Sequence, residues 1–159
     1  MSSVEDSERD EDSLSKEEPE FLRTNRLTRQ RSHHRSTRTN EQEDQLYHEA
    51  FRIYMFGGFE KASEKCKRII AMNPQNPKPY FLLATMHEEV AKTNEDMGEL
   101  HKAVEYYFFD AFYSAPDIEK WLKVGEMSHE LELYQQAAYC FGRVLKINSS
   151  RIDISLKRA

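Results

Sequence analysis

Three alanines recur in this chain inside the same six-residue box. The boxes are Gly57-Gly58-Phe59-Glu60-Lys61-Ala62, Gly98-Glu99-Leu100-His101-Lys102-Ala103 and Glu132-Leu133-Tyr134-Gln135-Gln136-Ala137. Ala103 and Ala137 lie 34 residues apart, while Ala62 and Ala103 lie 41 apart, the same period plus seven. Self-similarity at 34 residues is the trace left by stacked helix–turn–helix units, because each unit buries its apolar face only against the next. The spacing therefore predicts an all-α solenoid and turns the functional question from catalysis to what the stacked helices hold.

Stepping the same period through the chain finds the other structural positions. Leu46, Tyr80 and Trp121 open the first helix of each pair, and the small residues Ala50, Ala84 and Gly125 follow four positions on. Cys66, Tyr107 and Phe141 follow the box alanines by four and fill the space between pairs. Pro74 closes the first repeat, since proline cannot continue a helix. These residue types at this spacing resemble tetratricopeptide (TPR) repeats, at about 43–76, 77–117 and 118–151, with the start of a fourth at 152–159. Helices are expected at 42–56, 59–72, 77–93, 97–114, 117–130 and 134–147, with a short further helix at 151–157. The seven extra residues, Ala91 to Met97, amount to two helical turns, so they can lengthen either helix of repeat two without rotating the next box out of register. Without a complete fourth repeat, Tyr139, Val144 and Ile147 are expected on an outer face that the short helix partly covers. The end is abrupt for an array that normally finishes in a polar cap. It reads either as an improvised cap or as part of a longer or alternatively shortened array.

Charge divides the 159 residues. Residues 1–20 carry a net −7, residues 21–40 carry +6 with no acid, and the remainder carries −4. The first forty residues hold few large apolar side chains (Val4, Leu14, Phe21, Leu22 and Leu27), too little to offset the entropy of ordering a chain, and are expected to be a disordered tail. Residues 41–159 form the TPR domain. No apolar run approaches the roughly eighteen residues that a membrane-spanning helix needs. The two cysteines, Cys66 and Cys140, sit at small-apolar positions of the helical pattern and are expected to be buried free thiols, as in a reducing, intracellular compartment.

Residues that could carry chemistry are scattered. His48, His87, His101 and His129 occur one per helix, with no His-x-x-x-His or Cys-x-x-Cys spacing, so no metal site or cofactor is expected. Gly57-Gly58 lacks the flanking glycines and following Lys-Ser/Thr of a phosphate loop, and reads as a helix stop with glycine in the left-handed conformation. No nucleophile, base and orienting group can be assembled, and the chain is not expected to be an enzyme. The tract Tyr106 to Tyr113 packs six aromatics into eight residues without interleaved basic residues, which favours core packing over base stacking.

In a TPR superhelix one stripe of each first helix lines the inner surface. Here the stripe is Tyr47, Phe51 and Tyr54, then Lys78, Phe81, Thr85 and Glu88, then Leu122, Glu126 and His129. It forms a candidate partner-binding groove, aromatic at one end and acidic at the other. The Lys, Asn and Arg set with which some TPR domains clamp a chaperone's C-terminal carboxylate is replaced here by Tyr47, Phe51, Leu82 and Glu119. The basic tract Arg23, Arg26, Arg29, Arg31, Arg35 and Arg38 has two readings: electrostatic contact with nucleic acid or an import receptor, or a solvated linker.

A narrower resemblance lies in Trp121-Leu122-Lys123-Val124-Gly125-Glu126-Met127-Ser128-His129-Glu130-Leu131 followed by Gln136-Ala137-Ala138-Tyr139-Cys140-Phe141. These runs are similar to the TPR subunit of transcription factor IIIC, in which a Trp-x-x-x-(Ala/Gly)-Glu-Met-Ser helix precedes a Gln-Ala-x-Tyr/Phe-Cys-Tyr/Phe helix. Phe56-Gly57-Gly58-Phe59-Glu60-Lys61-Ala62 and Ala84-Thr85-Met86-His87-Glu88-Glu89 resemble its opening repeats, and the acidic leader fits as well. The resemblance covers about residues 46–148. It implies a nuclear, non-catalytic scaffold for RNA polymerase III transcription that docks subunits of factors IIIC and IIIB, with DNA contact indirect and no membrane. The alternatives are a TPR adaptor of another assembly, in RNA processing or chaperone handling, and nucleic-acid contact through the Arg-rich tail.

Overall fold

The computed structural model describes the backbone of residues 37–158 and the side chains of residues 40–152. Among the described residues six helices follow one another: α1 (Thr37–Met55), α2 (Phe59–Met72), α3 (Pro77–Asn94), α4 (Met97–Tyr113), α5 (Ile118–Glu130) and α6 (Tyr134–Arg158). Turns of two or three residues within α1/α2, α3/α4 and α5/α6 make each pair a helical hairpin. Each hairpin then packs on the next, α2 against α3 and α4 against α5, and α1 also touches α3. This is the expected all-α TPR-type solenoid of three pairs.

The box alanines carry the crossings. Ala62 and Ala103 are wholly buried and Ala137 nearly so, as are Ala50, Ala84 and Gly125 opposite them. A Cβ at Gly125 would meet the Phe141 ring at 2.8 Å, so only hydrogen allows α5 and α6 their present approach. Two clusters make up the core. One gathers Ala50, Ala62, Cys66, Leu82, Leu83 and Met86; the other centres on Val104, Tyr107, Phe108, Trp121, Val124 and Cys140. Tyr106 packs against both. The aromatic tract is core: Phe108 meets Trp121 edge-on at 5.3 Å and stacks on Tyr139 at 5.6 Å, which joins α4, α5 and α6. Both cysteines are buried and free, and burial pushes each thiol up to about 12.

Helix ends follow side-chain chemistry. Asn76, Asp96 and Asp117 cap α3, α4 and α5 by accepting from the backbone N–H groups of Lys78, Gly98 and Glu119. Gly57 stands at φ +84° in the first turn, as its glycine predicts, whereas Glu95 and Glu132 hold the left-handed conformation in the other two. Gly57→Val should therefore cost about 1–2 kcal/mol, because a branched side chain is strained at that φ. Gly142, inside α6 with open space at its Cβ position, is the contrasting site: Gly142→Ala should gain up to about 1 kcal/mol. Thermal melts showing equal midpoints for the two variants would contradict the assignment of these turns.

Three sequence expectations shift. The seven extra residues of repeat two extend α3 by five residues past the equivalent end of α1 and start α4 three residues earlier relative to its alanine, with a turn one residue shorter. Gly98 consequently lies within α4, and the turn sits at Glu95-Asp96. The break expected after residue 147 is absent, and 151–157 continues α6 instead of forming a separate short helix. Ser149 and Ser150 turn their hydroxyls onto the carbonyls of Leu145 and Lys146 four residues back, so neither acts as a cap. Val144 and Ile147 face the core, while Leu145 and Ile152 are the exposed apolar residues of α6. Tyr134 of the third box is 58% exposed. Of the predicted tail, residues 1–36 lie outside the described residues, and residues 37–40 open α1.

Candidate partner-binding groove

Three rows of side chains repeat on α1, α3 and α5, each fixed by its distance from the small residue of its helix. Tyr47, Phe81 and Leu122 lie three positions before Ala50, Ala84 and Gly125; Phe51, Thr85 and Glu126 lie one after; Tyr54, Glu88 and His129 lie four after. The small residue faces the partner helix, so these rows are held on one side by the same contact that builds the core. Phe51 and Phe81 remain 45% and 46% exposed, and Leu122 is exposed as well. They are large apolar side chains left in solvent on a rigid frame.

The aromatic end is ordered by its neighbours. Phe51 lies between Tyr47 and Tyr54, with ring centroids 6.4 and 6.1 Å away, and Tyr54 stacks on Phe59 of α2 at 5.5 Å. The Tyr54 hydroxyl donates to Glu89 of α3 at 2.5 Å, and this bond to a carboxylate pushes its pKa up to about 12. Lys78 stands 5.6 Å from the Tyr47 ring and 3.6 Å from the Asp44 carboxylate, a second tie between α1 and α3. Phe81 meets Tyr107 of α4 edge-on at 6.1 Å.

Glu88 differs from the free rim acid that the sequence suggests. It accepts from the Tyr107 hydroxyl at 2.5 Å and pairs with Lys92 at 3.0 Å and Lys123 at 3.4 Å, while Lys123 also stands 4.2 Å from the Tyr107 ring. Partial burial opposes its charge, but the hydrogen bonds from Tyr107 and Lys92 and the Lys123 ammonium outweigh it and hold the carboxyl below its ordinary 4.5. A depressed pKa means stability that is whole above the unfolded value and is lost as pH falls through the folded one. Glu88→Gln should thus cost about 1 kcal/mol near neutrality, and its difference from the parent should vanish well below pH 4.5. Urea melts across that range would show it; a gap that widens in acid would be the contrary result.

The stripe omits Lys123, which is exposed beside Glu88, and Tyr107, a core residue whose hydroxyl reaches Glu88. Lys123 follows Leu122 directly, and its position against Glu88 depends on how α5 sits beside α3. Thr85 donates its hydroxyl to the Phe81 carbonyl, which uses the donor inside its own helix. Glu126 and His129 are exposed, with His129 edge-on to Tyr134 at 5.6 Å. The structure thus brings Tyr47, Phe51, Tyr54, Lys78, Phe81 and Glu88 into one connected surface, with Leu122, Glu126 and His129 continuing it along α5. Arg23, Arg26, Arg29, Arg31 and Arg35 lie outside the described residues, and Arg38 falls in the first turn of α1. Among the described residues no group of His, Cys, Asp or Glu side chains is placed to hold a metal ion, and no helix is long and apolar enough to cross a membrane.

No protein-family model matches the chain. Among curated proteins it is similar to human General transcription factor 3C polypeptide 3, at 27% identity over 103 residues. That match takes in 65% of this chain and 11% of the relative, so the chain spans about a ninth of that protein's length. Among solved structures it resembles the crystal structure of MamA, with a TM-score of 0.52 at 20% identity, over 70% of this chain and 61% of that one. A likeness at that identity speaks for the fold. The chain carries a TPR-type helical-repeat fold suited to protein–protein interaction, with weak similarity to a transcription factor IIIC subunit.

Proposed function

We propose that this chain is a non-catalytic TPR scaffold of the RNA polymerase III transcription machinery, acting in the nucleus and docking other transcription-factor subunits through the α1–α3–α5 stripe. The observation that supports the assembly is the 103-residue similarity to human General transcription factor 3C polypeptide 3. The stripe supports the mode of action. Phe51, Phe81 and Leu122 supply apolar anchors and exposed Glu126 adds negative charge at one end, a surface suited to an extended or helical segment with apolar and basic side chains.

The partner is a subunit of factor IIIC or factor IIIB, and contact with DNA runs through that partner. Affinity purification of the tagged full chain from cells, with the co-purifying proteins identified by mass spectrometry, tests this reading. Enrichment of factor IIIC and IIIB subunits is expected. Enrichment of RNA-processing or chaperone assemblies in their place would assign the scaffold elsewhere. Direct nucleic-acid binding with a steep salt dependence would point to the Arg-rich tail as the working part.

A further inference from the structure

A cleft lies between α2 and the α3/α4 hairpin. Met86, His87 and Val90 of α3 with Glu99 of α4 form one wall, and the first turns of α2, from Phe59 to Lys67, form the other. The cleft holds about 340 Å³. Its apolar walls are Phe59, Met86 and Val90, and its rim carries Glu60, Glu64 and Glu99. At 100° per residue, Met86, His87 and Val90 project from nearly the opposite side of α3 to Phe81, Thr85 and Glu88, so cleft and stripe are separate surfaces. Both walls are set in advance. Phe59 is held by its stack on Tyr54, and His87 lies flat on Tyr106 at 5.5 Å with Nδ1 2.5 Å from the Glu99 carboxylate.

We infer that this cleft is a second docking site, which takes one arginine or lysine side chain from an apolar–basic segment of a partner protein. Its volume suits a side chain, too small for a helix. Phe59, Met86 and Val90 offer the apolar bed that a long aliphatic stem covers, while the charged head needs a carboxylate beyond it. Glu60 and Glu64 supply that. They sit four residues apart on one face of α2, and neither has an ion-pair partner among the described residues. Glu99 is already engaged by His87 and Lys102 and serves as a wall. An anionic ligand would meet three carboxylates against Lys67, and the carboxylates are not grouped as metal ligands. Charge and shape therefore select a basic side chain.

Amide chemical shifts of the full-length chain test the site, with acetyl-Leu-Arg-Leu-amide as probe and acetyl-Leu-Glu-Leu-amide as control. The arginine peptide should produce saturable shifts at residues 59–67 and 86–90, and the glutamate peptide none. Glu60→Lys with Glu64→Lys, both exposed positions, should weaken binding at least tenfold while the remaining spectrum stays that of the folded parent. This outcome is independent of the stripe, which the double variant leaves intact. Shifts confined to the Tyr47–Tyr54 stripe, equal shifts with both peptides, or unchanged affinity after charge reversal would each overturn the inference. Shifts at the cleft that follow protein concentration alone, without peptide, would assign it to a second copy and overturn the partner reading as well.

Discussion

Glutamate in place of Ala103 is expected to leave the chain unfolded. Ala103 has no exposed surface and sits in the larger core cluster beside Ala84 and Val104, where α3 and α4 cross. The new side chain would need both volume and a partner for its charge, and the site supplies neither. An unpaired buried charge costs several kcal/mol, and overpacking adds about 1–3 kcal/mol. A domain of this size has about 5–15 kcal/mol of stability in all. In a solenoid the damage spreads further, because the central pair supplies the interface for both neighbours. Ala103→Gly removes one methyl group and loosens the helix by about 1 kcal/mol, so it should fold. Circular dichroism should show a cooperative melt for the glycine variant and none for the glutamate variant. A glutamate variant that melts like the parent would mean that the crossing is not where the repeat places it.

The prediction is firm because the crossing was legible in the sequence. A small residue recurring at a fixed period has one physical reason, the close approach of two backbones, and Ala62, Ala103 and Ala137 all mark such contacts. The helix stop at Gly57 was legible for a similar reason, since a left-handed residue is easiest for glycine. The turn of repeat two was hidden because a glutamate, Glu95, takes that conformation while the box glycine Gly98 lies inside a helix. The end of α6 was hidden because Asn148-Ser149-Ser150 carries the residue types of a break. Only the bonds that its two serines make show them serving the helix.

The stripe was legible as a list of positions and less so as chemistry. Phe51 and Phe81 are exposed where the period puts them. The state of Glu88 depends on Tyr107 from one helix and Lys123 from another, and no local pattern announces such a meeting. Sequence periodicity gives the face on which a side chain stands, whereas the partner it finds there depends on the angle between helices. The cleft beside α2 was illegible for the same reason: its walls come from three helices.

The second large effect is expected at the stripe. Phe51→Ala with Phe81→Ala should weaken partner binding about a thousandfold while leaving the fold in place. Both rings are nearly half exposed, so their loss removes little core, and their apolar area is free for a partner to cover. Truncating an aromatic anchor at an interface costs about 2 kcal/mol or more, so two together amount to about 4 kcal/mol, roughly a thousandfold in Kd. Glu126→Gln should act differently, slowing association at low salt with little change in the lifetime of the complex. Titration calorimetry with the purified partner subunit would measure the first effect, and stopped-flow association at two salt concentrations the second. Binding that survives in the double alanine variant at parental strength would move the site off the stripe.

The most direct test of the scaffold reading replaces single side chains with a photo-crosslinking amino acid, p-benzoylphenylalanine, in the full chain in cells. Positions 81 and 122 report on the stripe, and position 145, exposed on α6, reports on another face. Crosslinks from 81 and 122 to a factor IIIC or factor IIIB subunit, with none from 145, are the predicted result. Crosslinks from 145 alone, or from 81 and 122 to no transcription-factor subunit, would contradict it.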